Sequence, residues 1–439
     1  VDRMFLFLRS IAKNIVKIIY FRFSSHRKSE ANLIVISKRR SNILDSCYLL
    51  NIENINNILI DPVTLKVTSN NDMFHLHSVN GIHDLYNDIL DIISKYKKIT
   101  IRGAGNFEMK LNFISEVKDI VFLNKVVKES KAKILYTSYE GSRLVYMLNI
   151  LGYESKDLIS VNSTWSMGVY PMFFNMFNKY SDIVFSWGEW QKQLQLKGRG
   201  LYRSIVTTGY IGDYAIHGMI DTHDIKVNKL RESGYKIISV YDNFAACDIE
   251  NSSVQLNNFY KGVLLLLQQE DYACIIKTKT ETLSTLLDSE LYNNILKYKE
   301  KIVIDDKHAA NLAPAFMSDA VYVFSVNSLG VIAAIWGNIT VLYDESNWSG
   351  GRYISNNITI VKSYKNLDIL IKSKIGHKCN IDRNSLIDPF VDGKAQSRII
   401  EYITLLLSSK QQEKITKIKE ANSFYKLKYG DNNVIELLE

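Results

Sequence analysis

The sequence of 439 residues predicts an α/β protein built from two Rossmann-like domains. From residue 31 onward, short β-branched runs alternate with helical stretches, and a polar stretch from about Asp213 to Ser233 interrupts this alternation before it restarts. Apolar runs that alternate with helices are typical of parallel strands covered on both faces. A single interruption followed by a restart indicates two such sheets.

The interruption places the domain junction near residue 220. We therefore expect a basic N-terminal segment over 1–30, a first Rossmann-like domain over 31–220 and a second over 221–395. The last helices, over 396–439, are candidates to cross back to the first domain.

The predicted strands of the two domains are short runs rich in Ile, Val, Leu and Tyr. In the first domain they are Leu33–Ser37, Ile58–Asp61, Ile99–Arg102, Ile134–Thr137, Leu158–Val161, Ile183–Trp187 and Ile205–Thr207. In the second they are Ile237–Tyr241, Ala273–Lys277, Ile302–Ile304, Val321–Phe324, Thr340–Leu342 and Thr359–Val361. Helices are predicted between most of them, including Glu189–Lys197 and Ser284–Lys297.

The stretch Ala320–Tyr343 contains no charged residue and is long enough to span a membrane. Its internal polar and glycine residues instead favour strand, turn, helix, turn and strand, because a spanning helix rarely contains so many breaker residues. We therefore expect it to be buried in the second domain.

The net charge of +8 is concentrated at the N-terminus, where residues 1–28 hold seven Lys or Arg and one acid. Arg9, Lys13 and Lys17 recur every four residues among apolar side chains, which predicts an amphipathic helix. It lacks the ~20 apolar residues that a membrane span needs. We expect it to lie on an anionic membrane surface, the alternative being a helix packed on the protein's own core.

The rest of the chain is nearly balanced in charge and shows no basic stripe with interleaved aromatic residues, so nucleic acid is not an expected partner. The four cysteines are widely separated, which excludes a CxxC metal site and a dense disulfide framework. A reducing compartment fits best, so we expect a cytoplasmic protein that is peripheral on the inner face of the cell membrane.

Several polar side chains follow predicted strands of the second domain, where ligands bind in open α/β sheets. Ser325, Asn327 and Ser328 join a strand to a helix and could cradle a phosphate, or could simply cap the helix. The other candidates at these strand ends are an acid, two lysines that could neutralise a diphosphate, and an Asp-His pair that could bind ribose, base or phosphate: Asp242, Lys277, Lys279, Asp306 and His308.

In the first domain, Glu140 lies between a predicted strand and the next helix. It could accept the proton of an attacking hydroxyl, or could only stabilise the helix dipole. Trp165 and Trp187 could act as platforms for sugar rings, or could be packing anchors. Arg143, which follows Glu140 in the Glu140-Gly141-Ser142-Arg143 segment, and Glu189, which follows Trp187-Gly188, complete the candidate acceptor side. No metal-ligand pattern is present, and no cofactor is expected.

Five segments, taken in order, resemble bacterial surface-polysaccharide glycosyltransferases of GT-B architecture. They are Tyr139-Glu140-Gly141, Thr164–Gly168, Asp182–Gly188, Ser325–Gly330, and Asp388–Ala395 followed by Arg398-Ile399. The resemblance implies a deep cleft between two Rossmann-like domains. It also implies transfer of a sugar from a nucleotide-sugar, held by the second domain without an essential metal, to a glycan or lipid-linked glycan on the first.

Two other functions fit the same scaffold. One is a nucleotide-sugar 2-epimerase or a glycerophosphate-type transferase, although the basic N-terminal segment disfavours a soluble epimerase. The other is a non-catalytic sugar-binding or assembly protein.

Overall fold

The computed structural model describes residues 33–36, 49, 57–60, 67–69, 73–74, 131–138, 143–163, 180–198, 200–220, 223–242, 252–278, 282–305, 312–325, 327–345, 355–376, 379–383 and 386–437. These residues form two sheets with helices packed against them, which confirms the predicted α/β fold with two Rossmann-like domains. The amphipathic segment 1–30 lies outside them. Within this part of the chain no helix is long and apolar enough to cross a membrane.

The first sheet has a parallel core with antiparallel strands added at both edges. Its described strands are β1 (Leu33–Ile36), β2 (Asn57–Ile60), β3 (Val67–Ser69), β4 (Met73–Phe74), β5 (Ile134–Thr137), β6 (Ile159–Ser163), β7 (Tyr180–Ser186), β8 (Leu201–Thr207) and β15 (Val434–Glu436). Their order is β15-β8-β7-β6-β5-β1-β2-β3-β4. β3, β4 and β15 pair antiparallel, and the predicted strand Ile99–Arg102 lies outside the described residues.

The second sheet is parallel throughout. Its strands are β9 (Lys236–Tyr241), β10 (Tyr272–Lys277), β11 (Ile302–Ile304), β12 (Ala320–Phe324), β13 (Thr340–Tyr343) and β14 (Ile358–Val361), in the order β11-β10-β9-β12-β13-β14. This is the 3-2-1-4-5-6 order of a doubly wound Rossmann sheet, in which the direction of winding reverses between β9 and β12.

The described helices connect these strands and carry the chain between the domains. They are α1 (Arg143–Glu154), α2 (Glu189–Lys197), α3 (Ile216–Ile220), α4 (Ile225–Glu232), α5 (Ser252–Gln268), α6 (Leu283–Leu286), α7 (Ser289–Leu296), α8 (Ala313–Phe316), α9 (Ser328–Ile335), α10 (Leu367–Lys374), α11 (Ala395–Ser408) and α12 (Lys414–Tyr429). α2 has the predicted bounds. The predicted helix Ser284–Lys297 is wrong as one element, because the Asp288 carboxylate accepts a hydrogen bond from the Leu291 N–H and starts a new helix.

The stretch Ala320–Tyr343 forms β12, α9 and β13 and lies in the core of the second domain, which confirms the buried α/β prediction. On one face of the sheet, the Phe259 ring of α5 stacks on Tyr322 at a centroid distance of 4.4 Å. Burial of such large aromatic side chains contributes about 2 kcal/mol or more each. Apolar packing, and not lipid, therefore accounts for the hydrophobicity of this stretch.

The last two helices pack on the first domain. Ile399, Tyr402 and Ile403 of α11 are buried against the first sheet, and the Tyr402 ring meets Phe185 of β7 edge to face at 5.4 Å. At the start of α12, Lys414 Nζ contacts Asp182 Oδ2 of β7 at 2.8 Å. The chain thus leaves the first domain, builds the second, and returns to close the core of the first.

The chain returns through residues 386–394, which we call the return segment. It lies against the carboxyl end of β7, where the Trp190 N–H donates to the Leu386 carbonyl at 2.8 Å. Gly188 is so close to this backbone that a Cβ would lie 2.5 Å from the Ile387 carbonyl oxygen and 2.6 Å from that of Leu386. A residue without a side chain is therefore required at position 188.

We predict that Gly188→Ala destabilises the protein by about 2 kcal/mol or more, because backbone atoms on the other side of the contact must move. The backbone torsions of Gly188 are extended and permit alanine, so the clash alone makes the difference. Urea unfolding of the full chain measures the change. Gly218→Ala is the matched control: its Cβ would meet no atom within 4 Å, and alanine favours a helix by up to ~1 kcal/mol. Equal stability of the two variants would contradict the close packing.

Candidate functional site

A crevice is expected in the second sheet between β9 and β12, where the strand order reverses. Asp242 follows β9 and Ser325 follows β12, so both lie at the carboxyl rim on either side of the reversal. Asp242 N–H donates to the Lys277 carbonyl at 3.3 Å, and Ser325 N–H donates to the Tyr343 carbonyl at 2.7 Å. These bonds extend the ladder past the strands and align the rim.

The turn from β12 into α9 is short and strained. Ser325 is buried and has φ of +52°, a left-handed conformation that is uncommon for a residue with a side chain. Strained backbone of this kind often lies at ligand sites, where the surrounding structure holds it in place. The turn brings the first residue of α9, the half-buried Ser328, to the rim beside β9.

Asn327 holds this turn against the neighbouring strand. Its Oδ1 accepts from the Leu329 N–H at 2.8 Å, which caps α9, and its Nδ2 donates to the backbone oxygen of Asp242 at 3.2 Å. The side chain is only 7% exposed. Its role in the structure is therefore to fix the N-terminus of α9 beside the end of β9.

Two buried pairs support the rim on the other side of β9. The Asp242 carboxylate accepts from the Tyr260 hydroxyl of α5 at 2.9 Å, and burial together with this carboxylate raises the pKa of Tyr260 well above its usual value. Lys277 Nζ lies 3.3 Å from Asp305 Oδ2, and both side chains are almost fully buried. Asp305 thus neutralises Lys277, one of the two lysines predicted from the sequence to neutralise a diphosphate.

The first sheet reverses its winding between β1 and β5, and a buried polar network lies at the end of β5. Thr137 Oγ1 accepts from Asn162 Nδ2 at 2.7 Å and donates to Asn149 Oδ1 at 3.0 Å. These three side chains are at most 2% exposed. They set the ends of β5 and β6 relative to α1.

Trp187 and Glu189 lie where the first domain meets the return segment. The Trp187 ring is 2% exposed and packs edge to face on Tyr210 at 4.6 Å, so it is a packing anchor in this structure and has no free face for a sugar. Glu189 forms an ion pair with Lys192 and accepts from Gln193 Nε2 at 2.6 Å. Partial burial opposes ionisation of Glu189, but these two partners hold its pKa below the usual value.

The structure therefore brings Asp242, Lys277, Ser325, Asn327 and Ser328 together at one rim. Glu140, Trp165, Lys279, Asp306 and His308 lie outside the described residues, and of Arg143 the structure describes only the backbone at the start of α1. Within the described ranges, no group of three or more His, Cys, Asp or Glu side chains is arranged so that it could hold a metal ion. The supporting partner Tyr260 carried no local sequence signal, because it is distant in the sequence from Asp242. Asp305 did carry one, since it directly follows the predicted strand Ile302–Ile304 and was expected at the same rim as Lys277.

No protein-family model matches the sequence, and a search of curated protein sequences finds no match. Solved structures do match. The S. aureus protein MnaA with UDP aligns with a TM-score of 0.53 at 12% identity, over 87% of this chain and 99% of that one. The UDP-GlcNAc 2-epimerase of Methanocaldococcus jannaschii, in complex with UDP-GlcNAc and UDP, gives 0.52 at 15% identity, over 85% and 99%. That of Rickettsia bellii gives 0.51 at 11%, over 85% and 98%.

This likeness, together with the two Rossmann-like sheets and the returning C-terminal helices, assigns the chain to the GT-B fold.

We predict that Lys277→Met lowers the free energy of unfolding by about 3 kcal/mol or more, because it leaves the Asp305 carboxylate buried without its cation. Removing both charges, as in Lys277→Met with Asp305→Leu, should recover most of the loss. Urea denaturation at pH 7 gives the comparison.

The control is Lys236→Met, which breaks an ion pair with Asp271 in which both side chains are more than two-fifths exposed. It should cost ~1 kcal/mol or less. If Lys277→Met lowers the free energy of unfolding by as little as Lys236→Met does, the ion pair with Asp305 contributes little and Lys277 is available to a ligand.

Proposed function

We propose that the protein is an enzyme of surface-glycan assembly that binds a UDP-sugar in the crevice between β9 and β12. The observation that carries the proposal is the fixed N-terminus of α9, which presents backbone N–H groups and the Ser328 hydroxyl beside the strand reversal. Such a terminus favours a diphosphate through its N–H groups and the helix dipole. UDP is the nucleotide named with two of the aligned structures.

In the proposed site, backbone N–H groups contact the diphosphate, a role for which the sequence also favoured Lys277 and Lys279. Lys277 is paired with Asp305, and the Asp242 carboxylate would repel a phosphate that approached it closely. We therefore assign the diphosphate to α9, with Ser325 and Ser328 beside it. Asp242 is assigned to the hydroxyl groups of the ribose or sugar, for which carboxylates are good hydrogen-bond acceptors. Lys279, Asp306 and His308 remain candidates for base and phosphate contacts.

The reaction that we propose is glycosyl transfer. An acceptor hydroxyl oxygen attacks the anomeric carbon, the bond from that carbon to the diphosphate oxygen breaks, UDP leaves, and the hydroxyl proton passes to a base. Glu140 is the proposed base, because in the sequence it falls between α1 and β5, the strand that borders the reversal of the first sheet. Arg143, Trp165 and Glu189 are proposed on the acceptor side, and Trp187 is not retained there.

Transfer to a lipid-linked glycan is favoured by two features of the sequence. One is the basic segment 1–30, which we propose lies on an anionic membrane surface on the cytoplasmic side. The other is the resemblance of five segments, including the return segment, to surface-polysaccharide transferases.

The second candidate function is epimerisation of a UDP-sugar at C2. It is supported by the aligned epimerase structures, each of which is matched over 98% or more of its own length. Epimerisation needs the same nucleotide crevice but no acceptor, so the two candidates differ in what the first domain does.

The test is incubation of the full chain with UDP-, GDP- and CMP-sugars, with and without a lipid-linked glycan acceptor. Transfer predicts release of UDP only when acceptor is present. Isomerised sugar or released UDP without acceptor would support the epimerase instead. No turnover, despite measurable UDP binding, would support a non-catalytic binding protein, and no nucleotide binding would contradict the proposed site.

In the same assay, Glu140→Gln should lower turnover by ~10²- to 10⁴-fold while UDP affinity stays near that of the parent, since a positioned base contributes that much. Glu154→Gln makes the same change at the exposed end of α1 and should leave turnover unchanged. Normal turnover of Glu140→Gln would exclude the base role and leave only a helix-dipole contribution of ~0.3 to 1 kcal/mol to stability.

A further inference from the structure

The junction between the domains contains a buried cluster of charged side chains that the proposed reaction does not use. Asp213 and Asp388 are both fully buried. Asp213 begins a 3₁₀ turn (Asp213–Ala215) at the end of the first domain, and Asp388 lies in the return segment. Arg398, at the end of the first turn of α11, is 3% exposed and is a cation next to them.

Both carboxylate oxygens of Asp388 accept hydrogen bonds from backbone N–H groups. Its Oδ2 accepts from the Tyr210 N–H at 2.9 Å, and its Oδ1 accepts from the N–H groups of Phe390 at 2.9 Å and Val391 at 3.1 Å. Three N–H donors favour the carboxylate form, although burial raises the pKa of Asp388. Asp388 therefore ties the return segment to Tyr210 of the first domain.

Asp213 is much less well supplied with donors. Its two oxygens share the Ala395 N–H, at 3.2 and 3.3 Å, at the start of α11. Burial and the nearby charge of Asp388 raise the pKa of Asp213 to about 7. A carboxyl group with one long N–H contact and an anionic neighbour is better accommodated in the neutral form.

Arg398 cannot neutralise all of its acidic neighbours. Its guanidinium forms an ion pair with Asp392, donates to the Thr208 carbonyl at 3.0 Å, and lies 3.6 Å from the centre of the Phe390 ring. Of the charges that act on Asp213, Asp388 and Asp392 oppose its ionisation and Arg398 favours it. The other helix that packs on this turn, α3, carries His217, whose side chain lies outside the described residues.

We propose that the domain junction binds one proton at Asp213 and that this proton holds the return segment and the start of α11 against the first domain. Three carboxylates around one guanidinium leave an excess of two negative charges, and the proton removes one of them. When it leaves, Asp213 repels Asp388 and the contact that the return segment makes with Tyr210 weakens. The attachment of the second domain is thereby linked to pH near neutrality.

The sign of the effect follows from the raised pKa. Between the ordinary value of 3.8 and about 7, the folded protein binds a proton at Asp213 that the unfolded chain does not bind. The stabilising contribution of this proton is therefore present in acid, declines as pH rises through this window, and is absent above it. This is the opposite of the usual behaviour of a salt-bridged aspartate.

The test is hydrogen exchange of the full chain at pH 6.5 and 8.5, with protection factors corrected for the intrinsic dependence of exchange on pH. In the parent protein, protection of residues 386–398 should fall by about fourfold between these pH values, the factor expected for a group with a pKa of about 7. Asp213→Asn should show no such fall, because its amide cannot ionise while its Oδ1 still accepts from the Ala395 N–H. An equal fall in the parent and in Asp213→Asn would overturn the proposal.

Two further variants keep the test decisive. Asp288→Asn makes the same change at the exposed cap of α7 and should keep the pH profile of the parent. Asp392→Asn removes a half-exposed anion and frees Arg398, so it should move the midpoint of the transition to lower pH; an unchanged midpoint would also count against the proposal. The outcome does not depend on which nucleotide-sugar reaction the protein performs.

Discussion

The hydrogen bond from Asn327 Nδ2 to the backbone oxygen of Asp242 is the contact on which the candidate site depends. It joins β9 to the first turn of α9 across the reversal of the sheet, while the other end of the same amide caps the helix. Ser325 can adopt its left-handed conformation because both sides of the turn are anchored. A terminus that is already in place does not have to be ordered when an anion binds, which reduces the free-energy cost of binding.

The relation of the two domains depends on a second set of contacts, at the return segment. Gly188 lets the backbone at Leu386 and Ile387 approach the end of β7, and Asp388 then holds Tyr210. The segment that resembles a C-terminal signature of surface-polysaccharide transferases is, in this structure, the link that brings α11 back to the first domain. Its Asp and Arg residues serve the junction, and the rim of the second sheet is built from other residues.

Local pattern was sufficient to predict most of the described strands, because a short apolar run bounded by turn residues has few other solutions. It also predicted β12, α9 and β13 within a stretch that hydropathy alone would assign to a membrane. It could not predict that Lys277 pairs with Asp305 or that Trp187 is covered by the junction, since both depend on chain segments that are distant in sequence. The break at Asp288 was within reach, because an aspartate before Ser-Glu-Leu is a helix-start signal.

The N-terminus of α9 is the proposed binding site for the diphosphate of a nucleotide. Hydrogen exchange of the full chain with and without saturating UDP tests it most directly, because a bound phosphate stabilises the first turn of the helix, including the Leu329 and Val331 N–H groups that already bond to Asn327, and so slows exchange of its amides. We predict that UDP slows exchange in peptides covering the first turn of α9, Ser328–Val331, more than in α7, which starts with a similar cap away from the reversal. Binding of UDP with no protection in α9, or with protection confined to the first domain, would contradict the account.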